Sequence, residues 1–562
     1  MNRTEALAHL TAKGQPYELV EIEALGRRIR AFANAPANLR DLFEQGRSDA
    51  TFLVYEDERL SFEDVWRRSS HLAAVMARDF GVEKGDRVAI SMRNYPEWII
   101  AFNAATSLGA IAVAMNALWQ PHEMQFALED STPKLLFADQ ERLDRLAAGG
   151  APAANLAVIA VRAVRELAAG ARSYSDVMSA ETPQAVPPPD VRPDEDAIML
   201  YTSGSTAHPK GAVSTHRNIM NALLSWELDA QAAQLAAASP AVAPAGQLAA
   251  LLGIPLFHVS GLHVSLLQSY RAQRRLVCMY KWDPARAADL IERERITSFN
   301  GPPAVTGDLV EIARRDGRDL SSLVAVGGGG ASRAPEQVRA IDRAFANAAP
   351  NTGWGMTETN AIGTSISGAD YLAHPASSGR VSAVLDIRIV DEAGFELPPF
   401  ARGELQIRGA SIMRGYWHRP DANADTFVDG WMRTGDVAYV DDEGFVFIVD
   451  RIKDLVIRGG ENIGCGAVEA ALLEHPDVVE ASVYGVPDER LGEEVGATLY
   501  SRAALDEAAL RAFLEPRLAR FEIPRYFHVS DAPLPRIASG KILRRQLRDE
   551  AAKRLARPPA VG

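Results

Sequence analysis

The chain has 562 residues, of which 47% are hydrophobic and 24% are charged, a composition typical of a soluble globular protein. This length exceeds what one ordinary hydrophobic core accommodates, so we expect two or more domains. The formal net charge of −13, from 60 basic and 73 acidic residues, argues against a general nucleic-acid binder, and anionic ligands would need local basic sites.

The N-terminal segment has no long apolar stretch behind a basic start, so we predict no secretory signal. The longest apolar tract, residues 98–119, is interrupted by polar residues such as Asn103 and predicts a buried helix followed by a strand. The two cysteines, Cys278 and Cys465, exclude a disulfide framework and fit a reducing compartment. We therefore expect a cytoplasmic protein without an integral membrane segment, for which peripheral membrane contact stays open.

The first clear elements alternate between strand and helix. Residues 51–76 predict a strand, a turn and a helix, with Ser61 as the N-cap and Asp64 three positions later. This alternation continues and indicates α/β layers with a largely parallel sheet. Further strands are predicted within residues 81–92, 135–138 and 157–161, and a proline-rich connector spans residues 183–193.

The stretch YTSGSTAHPKG, residues 201–211, follows a short apolar run that predicts a buried strand. Its glycines let backbone N–H groups approach an anion, its hydroxyls donate hydrogen bonds, and Lys210 supplies positive charge for outer phosphates. It is not a Walker A loop, because Pro209 precedes the lysine and Gly211 follows it. The residues that we assign to phosphate binding are Thr202, Ser203, Gly204, Ser205, Thr206 and Lys210.

Three later segments are candidate site elements. PLFHVSG, residues 255–261, places His258 between apolar residues, where a histidine is usually part of a core or a turn. Residues 296–303 predict a strand ending in a loop, and residues 323–332 predict a strand that runs into four glycines. Glycines at the carboxyl end of a strand leave a bare backbone surface against which a flat ring can lie.

From residue 381 the pattern changes to short alternating strands, which predict a small β-rich subdomain over about residues 381–449. Within it, WMRTGD ends at Asp436, which is a turn residue by default. The following stretch, VDRIKDLVIRGGENI at residues 449–463, marks a domain boundary. The last domain is predicted as a small α+β unit that contains LPRIASGKILRR, residues 534–545.

These stretches, in this order, resemble the motifs of the adenylate-forming enzymes, which include acyl-CoA synthetases, adenylation domains and luciferases. The resemblance spans roughly residues 51–545 and is greatest to bacterial fatty acyl-CoA ligases. It implies an α/β fold with a large N-terminal domain of layered sheets, residues 1–450, and a small mobile α+β domain, residues 451–562, with a hinge near Lys453. It also implies ATP, Mg²⁺ and coenzyme A as cofactors or co-substrates.

The resemblance assigns catalytic roles to four residues. In NTGWGMTET, residues 351–359, it implies that Thr357 contacts the α-phosphate and that Glu358 binds magnesium, a cation that prefers oxygen ligands. His258 would lie beside the incoming carboxylate. Lys541, in the Ser-Gly-Lys segment, matches the catalytic lysine that bridges carboxylate and phosphate.

Nucleotide and CoA contacts follow from the same resemblance. Asp436 would accept hydrogen bonds from both ribose hydroxyls, as a carboxylate is able to do. Trp354, in place of a commoner tyrosine, is expected to stack on adenine, and Arg451 to reach the nucleotide. The other implied contacts are Gly329, Gly330 and Ala331 beside adenine and the acyl pocket, Gly355 and Met356 next to Trp354, Lys453 at the hinge, and Gly459 and Gly460 along the CoA pantetheine path.

The implied function is that of an ATP-dependent acyl-CoA ligase that forms an acyl-AMP intermediate and releases AMP and pyrophosphate. A medium- or long-chain fatty acid is the first choice of substrate, and an aryl or polycyclic carboxylate is the alternative. CoA is the favoured acceptor because only a short tail follows Lys541, but loading of a separate acyl carrier protein stays open. A luciferase-like activity is disfavoured because Ile457 stands where beetle luciferases have a lysine.

The alternative from another class is a non-catalytic nucleotide- or lipid-binding protein, which the presence of all the implied charged site residues disfavours. The expected partners are a carboxylic acid, ATP and CoA, with no nucleic acid. No sequence pattern specifies the oligomeric state, for which a homodimer is our working expectation.

Overall fold

A computed structural model describes residues 1–149, 156–180, 190–202, 209–237, 246–315 and 317–555. A π-helix, Ser260–Leu267, and two short 3₁₀ turns, Thr357–Thr359 and Ile452–Asp454, accompany the α-helices. In chain order the α-helices are α1 (Arg3–Leu10), α2 (Leu39–Gln45), α3 (Phe62–Phe80), α4 (Pro96–Ser107), α5 (Pro121–Ser131), α6 (Gln140–Ala148), α7 (Tyr174–Ser179), α8 (His216–Ala236), α9 (Gln268–Ala272), α10 (Pro284–Glu294), α11 (Pro303–Arg315), α12 (Pro335–Ala344), α13 (Gly368–Ala373), α14 (Pro420–Thr426), α15 (Cys465–Leu472), α16 (Glu507–Leu514) and α17 (Arg544–Leu555).

The strands predicted from the first third of the sequence are all present, and Ser61 caps α3 in a capping box with Asp64 as expected. In chain order the strands are β1 (Leu19–Ala24), β2 (Arg27–Phe32), β3 (Thr51–Tyr55), β4 (Glu58–Ser61), β5 (Arg87–Ser91), β6 (Ile111–Ala114), β7 (Leu135–Asp139), β8 (Ala157–Val161), β9 (Ala171–Ser173), β10 (Asp196–Thr202), β11 (Lys210–Thr215), β12 (Ala249–Leu252), β13 (Arg275–Cys278), β14 (Ser298–Asn300), β15 (Ala325–Gly327), β16 (Ala349–Thr352), β17 (Thr364–Ser367), β18 (Arg380–Val381), β19 (Leu385–Val390), β20 (Gly403–Gly409), β21 (Gly415–Tyr416), β22 (Phe427–Val428), β23 (Trp431–Val440), β24 (Val446–Arg451), β25 (Val456–Arg458), β26 (Glu461–Ile463), β27 (Val478–Asp488), β28 (Gly492–Ser501) and β29 (Tyr526–Ser530).

Two large sheets dominate the N-terminal domain. The first has the order β21-β11-β10-β6-β5-β7-β8-β9 and is parallel from β10 to β9. The second has the order β18-β17-β16-β15-β14-β12-β13-β3-β4 and is parallel from β16 to β3. Antiparallel strands flank the parallel part of the second sheet on both sides. The predicted α/β class with largely parallel sheets is therefore confirmed.

The largest apolar cluster joins the two sheets through the helices between them. It contains Ile90 of β5, Phe52 of β3, Leu276 of β13, and the stacked rings of Trp98 and Phe102 on α4. All residues of α4 except Glu97 are buried, which explains why its sequence is mostly apolar around the whole helix. The tract that could reach across a bilayer by length is thus a core helix and strand. Among the described residues, none of the helices combines the length and apolar character of a membrane span.

Two smaller sheets complete the structure. Strands β19, β20, β23 and β22 form an antiparallel sheet in that order, with β24 beside β23, in the predicted β-rich region. The small C-terminal domain contains the order β26-β25-β28-β27, with β29 parallel to β28. Its own apolar cluster includes Val468, Leu472 and Val483. The architecture of a large and a small domain agrees with the expectation, and the boundary at residue 450 stays a prediction.

Candidate active site

A cleft of about 2330 Å³ lies where the parallel strands of the large domain end and the small domain faces them. Strands β10, β14, β15 and β16 each deliver residues to it from their carboxyl ends, the position at which open α/β sheets place their ligands. Most of the predicted site residues meet in this one cleft: Thr202, Lys210, His258, Gly329, Gly330, Ala331, Trp354, Gly355, Met356, Thr357, Glu358, Asp436, Arg451, Lys453 and Lys541.

The two ends of the predicted phosphate loop are held together by antiparallel pairing of β10 with β11. Thr202 lies opposite Lys210, and its hydroxyl donates to the Lys210 carbonyl oxygen at 3.4 Å. The ammonium nitrogen of Lys210 lies 5.0 Å from the centre of the Tyr416 ring. The loop residues Ser203, Gly204, Ser205 and Thr206 lie outside the described residues.

Glu358 is buried at the wall of the cleft, and its side chain is oriented by Tyr416. The Tyr416 hydroxyl donates to Glu358 Oε1 at 2.7 Å. Burial, reinforced by the neighbouring Glu358 charge, raises the Tyr416 pKa, so the phenol stays a hydrogen-bond donor. The segment before Glu358 passes close to the backbone of Ala361 and needs glycine at position 355, since a Cβ on Gly355 would lie 2.4 Å from the Ala361 carbonyl oxygen.

The single carboxylate of Glu358 fits a magnesium ion that is bound together with phosphates. Within the described part of the chain, no group of three or more His, Cys, Asp or Glu side chains is arranged to hold a metal. Mg²⁺ is commonly held by one or two carboxylates with substrate phosphates and water completing its shell. Glu358 would supply that carboxylate, and the bound ion would screen phosphate charge.

Asp436 is buried between two donors on neighbouring elements. Trp354 Nε1 donates to Asp436 Oδ2 at 2.7 Å, and Arg451 Nε lies 3.3 Å from Asp436 Oδ1. Arg451 is directly opposite Asp436 because β23 and β24 pair in that register. Burial raises the Asp436 pKa, whereas Arg451 and Trp354 act in the opposite direction. The structure therefore gives the Trp354 indole a role in holding Asp436, while its stacking on adenine stays a prediction.

Replacing Trp354 with phenylalanine is expected to raise the KM for ATP about tenfold, because it removes a hydrogen bond to a buried charged acceptor. The aromatic face remains available, so a role in stacking alone predicts little change. The measurement is the ATP dependence of pyrophosphate exchange, with Trp431→Phe as the control outside the cleft. An unchanged KM for ATP in Trp354→Phe would contradict the role of the indole nitrogen.

Lys541 projects from a tight loop in the small domain toward the glycine segment. A Cβ at Gly330 would lie 3.1 Å from Lys541 Cε, so the aliphatic part of the lysine packs over the bare backbone that a glycine provides. Burial lowers the Lys541 pKa from 10.5 to about 8, with a further decrease from Arg451 and opposing effects of Glu358 and Asp436. The ammonium group is thus in the electrostatic field of the other cleft residues.

His258 is neutral in this setting. Burial, assisted by the Lys541 charge, lowers its pKa to about 3. Its Nε2 atom is buried and has no hydrogen-bond partner among the described residues. A buried polar atom without a partner at the edge of a cleft is suited to a ligand hydrogen bond. Lys541, and not His258, would supply positive charge beside a carboxylate.

The lowered Lys541 pKa predicts a loss of adenylation at alkaline pH. The ammonium is fully protonated well below pH 8, and its charge is lost as pH rises through about 8. We therefore expect kcat/KM for the acid to fall tenfold per pH unit above about 8, because kcat/KM reports the free enzyme. Lys541→Arg, whose guanidinium stays charged, should be slower at neutral pH but lack this decline. An identical decline in Lys541→Arg would assign it to another group.

Local backbone geometry explains why three of the predicted site residues are glycines. At Gly329 a Cβ would lie 2.5 Å from the Gly353 carbonyl oxygen, so close strand packing requires glycine there. Gly459 and Gly460 have φ values of +59° and +94° and form the two-residue turn between β25 and β26. These two are absent from the described lining of the cleft, and their place along a CoA path stays a prediction.

Sequence reasoning missed Tyr416, which contacts both Glu358 and the Lys210 ammonium. It lies on the two-residue strand β21, which pairs with β11 and so brings a distant segment beside the phosphate loop. A strand of this length carries no periodic signal, and a single tyrosine in a loop has no motif.

Comparison with known proteins identifies the family to which this chain belongs. The family model described as AMP-binding enzyme matches residues 42–417, and the one described as AMP-binding enzyme C-terminal domain matches residues 467–541. The chain therefore belongs to the AMP-binding, or adenylate-forming, family of enzymes.

Similar proteins differ in the acids that their names state. A feruloyl-CoA synthase of Amycolatopsis is 33% identical over 89% of this chain and 95% of its own length. A long-chain-fatty-acid–CoA ligase of Bacillus subtilis is 30% identical over 89% of this chain and 92% of its own.

Solved structures share the fold over nearly the whole chain. The o-succinylbenzoate CoA synthetase of Bacillus subtilis with its acyl-adenylate intermediate is 28% identical, covers 92% of this chain and 98% of its own, and gives a TM-score of 0.76. The same enzyme in complex with ATP and a magnesium ion covers 91% of this chain and 99% of its own at 28% identity, with a TM-score of 0.75.

Proposed function

We propose that the protein is an AMP-forming acid–thiol ligase that activates a carboxylic acid with ATP and transfers the acyl group to coenzyme A. The observation that carries this proposal is the convergence of Lys210, Glu358, Asp436, Arg451 and Lys541 in one cleft formed by both domains. A non-catalytic nucleotide-binding protein would not need a buried lysine from a second domain beside the glycine segment. Membership of the adenylate-forming family supports the same conclusion.

The first half-reaction joins two anions, so its main requirement is positive charge. A carboxylate oxygen attacks the α-phosphorus of ATP, the bond to the bridging oxygen of pyrophosphate breaks, and acyl-AMP forms. Lys541 would lie between carboxylate and phosphate and stabilise the charge of the transition state, while Thr357 positions the α-phosphate. Lys210 would hold the pyrophosphate that leaves, and Asp436 and Arg451 would fix the ribose.

The second half-reaction replaces the nucleotide with a thiol. The CoA sulfur attacks the acyl carbon, the bond to the AMP oxygen breaks, and a thioester and AMP result. Rotation of the small domain about Lys453, which lies in the turn after β24, would remove Lys541 and admit the thiol. CoA is favoured over a carrier protein by the CoA ligases among the relatives.

A medium- or long-chain fatty acid is our first proposal for the substrate, and an aryl or polycyclic acid is the alternative. The names of the relatives support a fatty acid and an aryl acid equally. To decide between these classes of substrate, the protein is assayed with fatty acids of increasing length and with aromatic acids such as ferulic and succinylbenzoic acids. We expect acid-dependent exchange of pyrophosphate into ATP for one class, followed by CoA ester formation with the same acids. Absence of exchange with every acid would contradict the enzyme assignment and favour a binding protein.

Acceptor choice and assembly are tested separately. Consumption of free CoA thiol with the preferred acid supports the CoA ligase, whereas turnover only with an added acyl carrier protein favours the alternative. A homodimer remains a prediction, for which light scattering of the purified protein is the measurement.

A further inference from the structure

Helix α11 of the large domain presents one face to the small domain. Val305, Asp308 and Glu311 are spaced three residues apart, which places them along one side of the helix. Each of them contacts a different residue of the small domain, and none of the three is among the residues assigned to nucleotide or acid binding. This face therefore contacts the small domain in the arrangement in which Lys541 lies in the cleft.

The central contact is an ion pair between Asp308 and Arg536. Arg536 Nη1 lies 2.7 Å from Asp308 Oδ2, and its Nη2 lies 3.1 Å from Oδ1, a two-pronged geometry that is among the stronger ion pairs. Arg536 also pairs with Glu480 of its own domain, and Trp282 Nε1 donates to Asp308 Oδ2 at 2.9 Å. Both partners of the interdomain pair are thus oriented by residues of their own domains.

The lysine loop itself rests on the start of α11. Gly540, with φ of +85°, approaches so closely that a Cβ would lie 2.3 Å from Val305 Cγ2. The Ile537 amide donates to the Lys541 carbonyl oxygen at 2.8 Å, and the backbone of Arg536 pairs with that of Ile542 in an antiparallel β-bridge. Arg536 and Lys541 therefore belong to one rigid turn. Fixing Arg536 on Asp308 therefore fixes the position of Lys541.

A second ion pair lies one turn further along the helix. Glu311 pairs with Arg502 of the small domain, whose Nη1 also donates to the Pro476 carbonyl oxygen at 3.1 Å. This pair is more exposed than that of Asp308, so its contribution is smaller.

We propose that Asp308, with Glu311 beside it, is a positioning residue for the first half-reaction, which latches the small domain in the adenylating orientation. This inference rests on the proposed function and adds a residue outside the set assigned to nucleotide and acid binding, although Asp308 also lines the cleft. Placing the Lys541 ammonium in the cleft costs desolvation free energy, and the latch offsets part of that cost. The second half-reaction, which needs Lys541 removed, should not depend on it.

The test compares Asp308→Asn with Asp289→Asn, which removes an ion pair to Arg318 inside the large domain. The amide oxygen that Asp308→Asn introduces keeps an acceptor for the Trp282 indole. We expect Asp308→Asn to lower the kcat of acyl-AMP formation about tenfold, since a hydrogen-bonded charge pair is weakened, with little change in KM for ATP. Thioester formation from supplied acyl-AMP should stay at the wild-type rate, as should both steps in Asp289→Asn.

Equal rates of acyl-AMP formation in Asp308→Asn and Asp289→Asn would overturn the latch, as would equal losses in both half-reactions. Glu311→Gln tests the same latch if Asp308→Asn folds poorly, because it is expected to slow acyl-AMP formation about twofold and to leave thioester formation unchanged. A Glu311→Gln enzyme with both steps equally slowed would also contradict it. Failure of the proposed function is distinguishable, since the wild-type protein would then form no acyl-AMP with any acid.

Discussion

Lys541→Ala is expected to slow acyl-adenylate formation by about a hundredfold to a thousandfold, the range for removal of one preorganised charge-stabilising donor. Thioester formation from supplied acyl-AMP is expected to stay within about threefold of the wild-type rate, because Lys541 has no part in the attack of the thiol on the acyl carbon. The physical reason is the repulsion between carboxylate and triphosphate, which the buried ammonium offsets in a site of low dielectric.

The two steps are measured separately, by single-turnover formation of acyl-AMP and by thioester formation from the synthetic adenylate. Lys553→Ala is the matched control, since Lys553 is an exposed lysine in the last turn of α17. Equal losses in both steps for Lys541→Ala would show that the lysine supports the fold or general binding and would contradict its assigned role.

Glu358→Gln is expected to lower acyl-AMP formation about a hundredfold and to raise the Mg²⁺ concentration needed for half-maximal activity, because an amide binds a hard cation more weakly than a carboxylate. Glutamine preserves an oxygen acceptor for the Tyr416 hydroxyl, so the local packing is retained. The measurement is a Mg²⁺ titration of pyrophosphate exchange at fixed ATP.

Glu63→Gln serves as the control, because Glu63 on α3 pairs with Arg47 and is absent from the described lining of the cleft. Tyr416→Phe should show a smaller loss in the same direction, since it removes only the bond that orients Glu358. An unchanged Mg²⁺ requirement in Glu358→Gln would place the metal elsewhere.

Much of the fold was predictable because its strands are short, apolar and separated by clear turns. The helix and strand within residues 98–119 are an example, since polar interruptions and the glycine before β6 distinguish a core element from a membrane span. The site was predictable where a residue stands within a contiguous string, as Lys210, Glu358 and Lys541 do. Their meeting in one cleft follows from strand order, which no single string contains.

Other features depend on long-range packing. Helix α8, His216–Ala236, extends into an alanine-rich region that offers few cap signals of its own, because its capping box is formed upstream by Thr215 and Asn218. Tyr416 reaches Glu358 across 58 residues of sequence, and Arg536 reaches Asp308 across 228. The hydrogen bond of the Trp354 indole nitrogen to Asp436 was not foreseen, because it depends on the pairing of β23 with its neighbours.

The proposed reaction activates the acid by attack of its own carboxylate on the α-phosphorus of ATP. Turnover of an acid labelled with ¹⁸O in both carboxylate oxygens tests this directly, with mass spectrometry of the products. We expect one ¹⁸O atom in each AMP, none in pyrophosphate, and one retained in the thioester. Appearance of the label in inorganic phosphate, with ADP as the nucleotide product, would show an acyl phosphate route and contradict the formation of acyl-AMP.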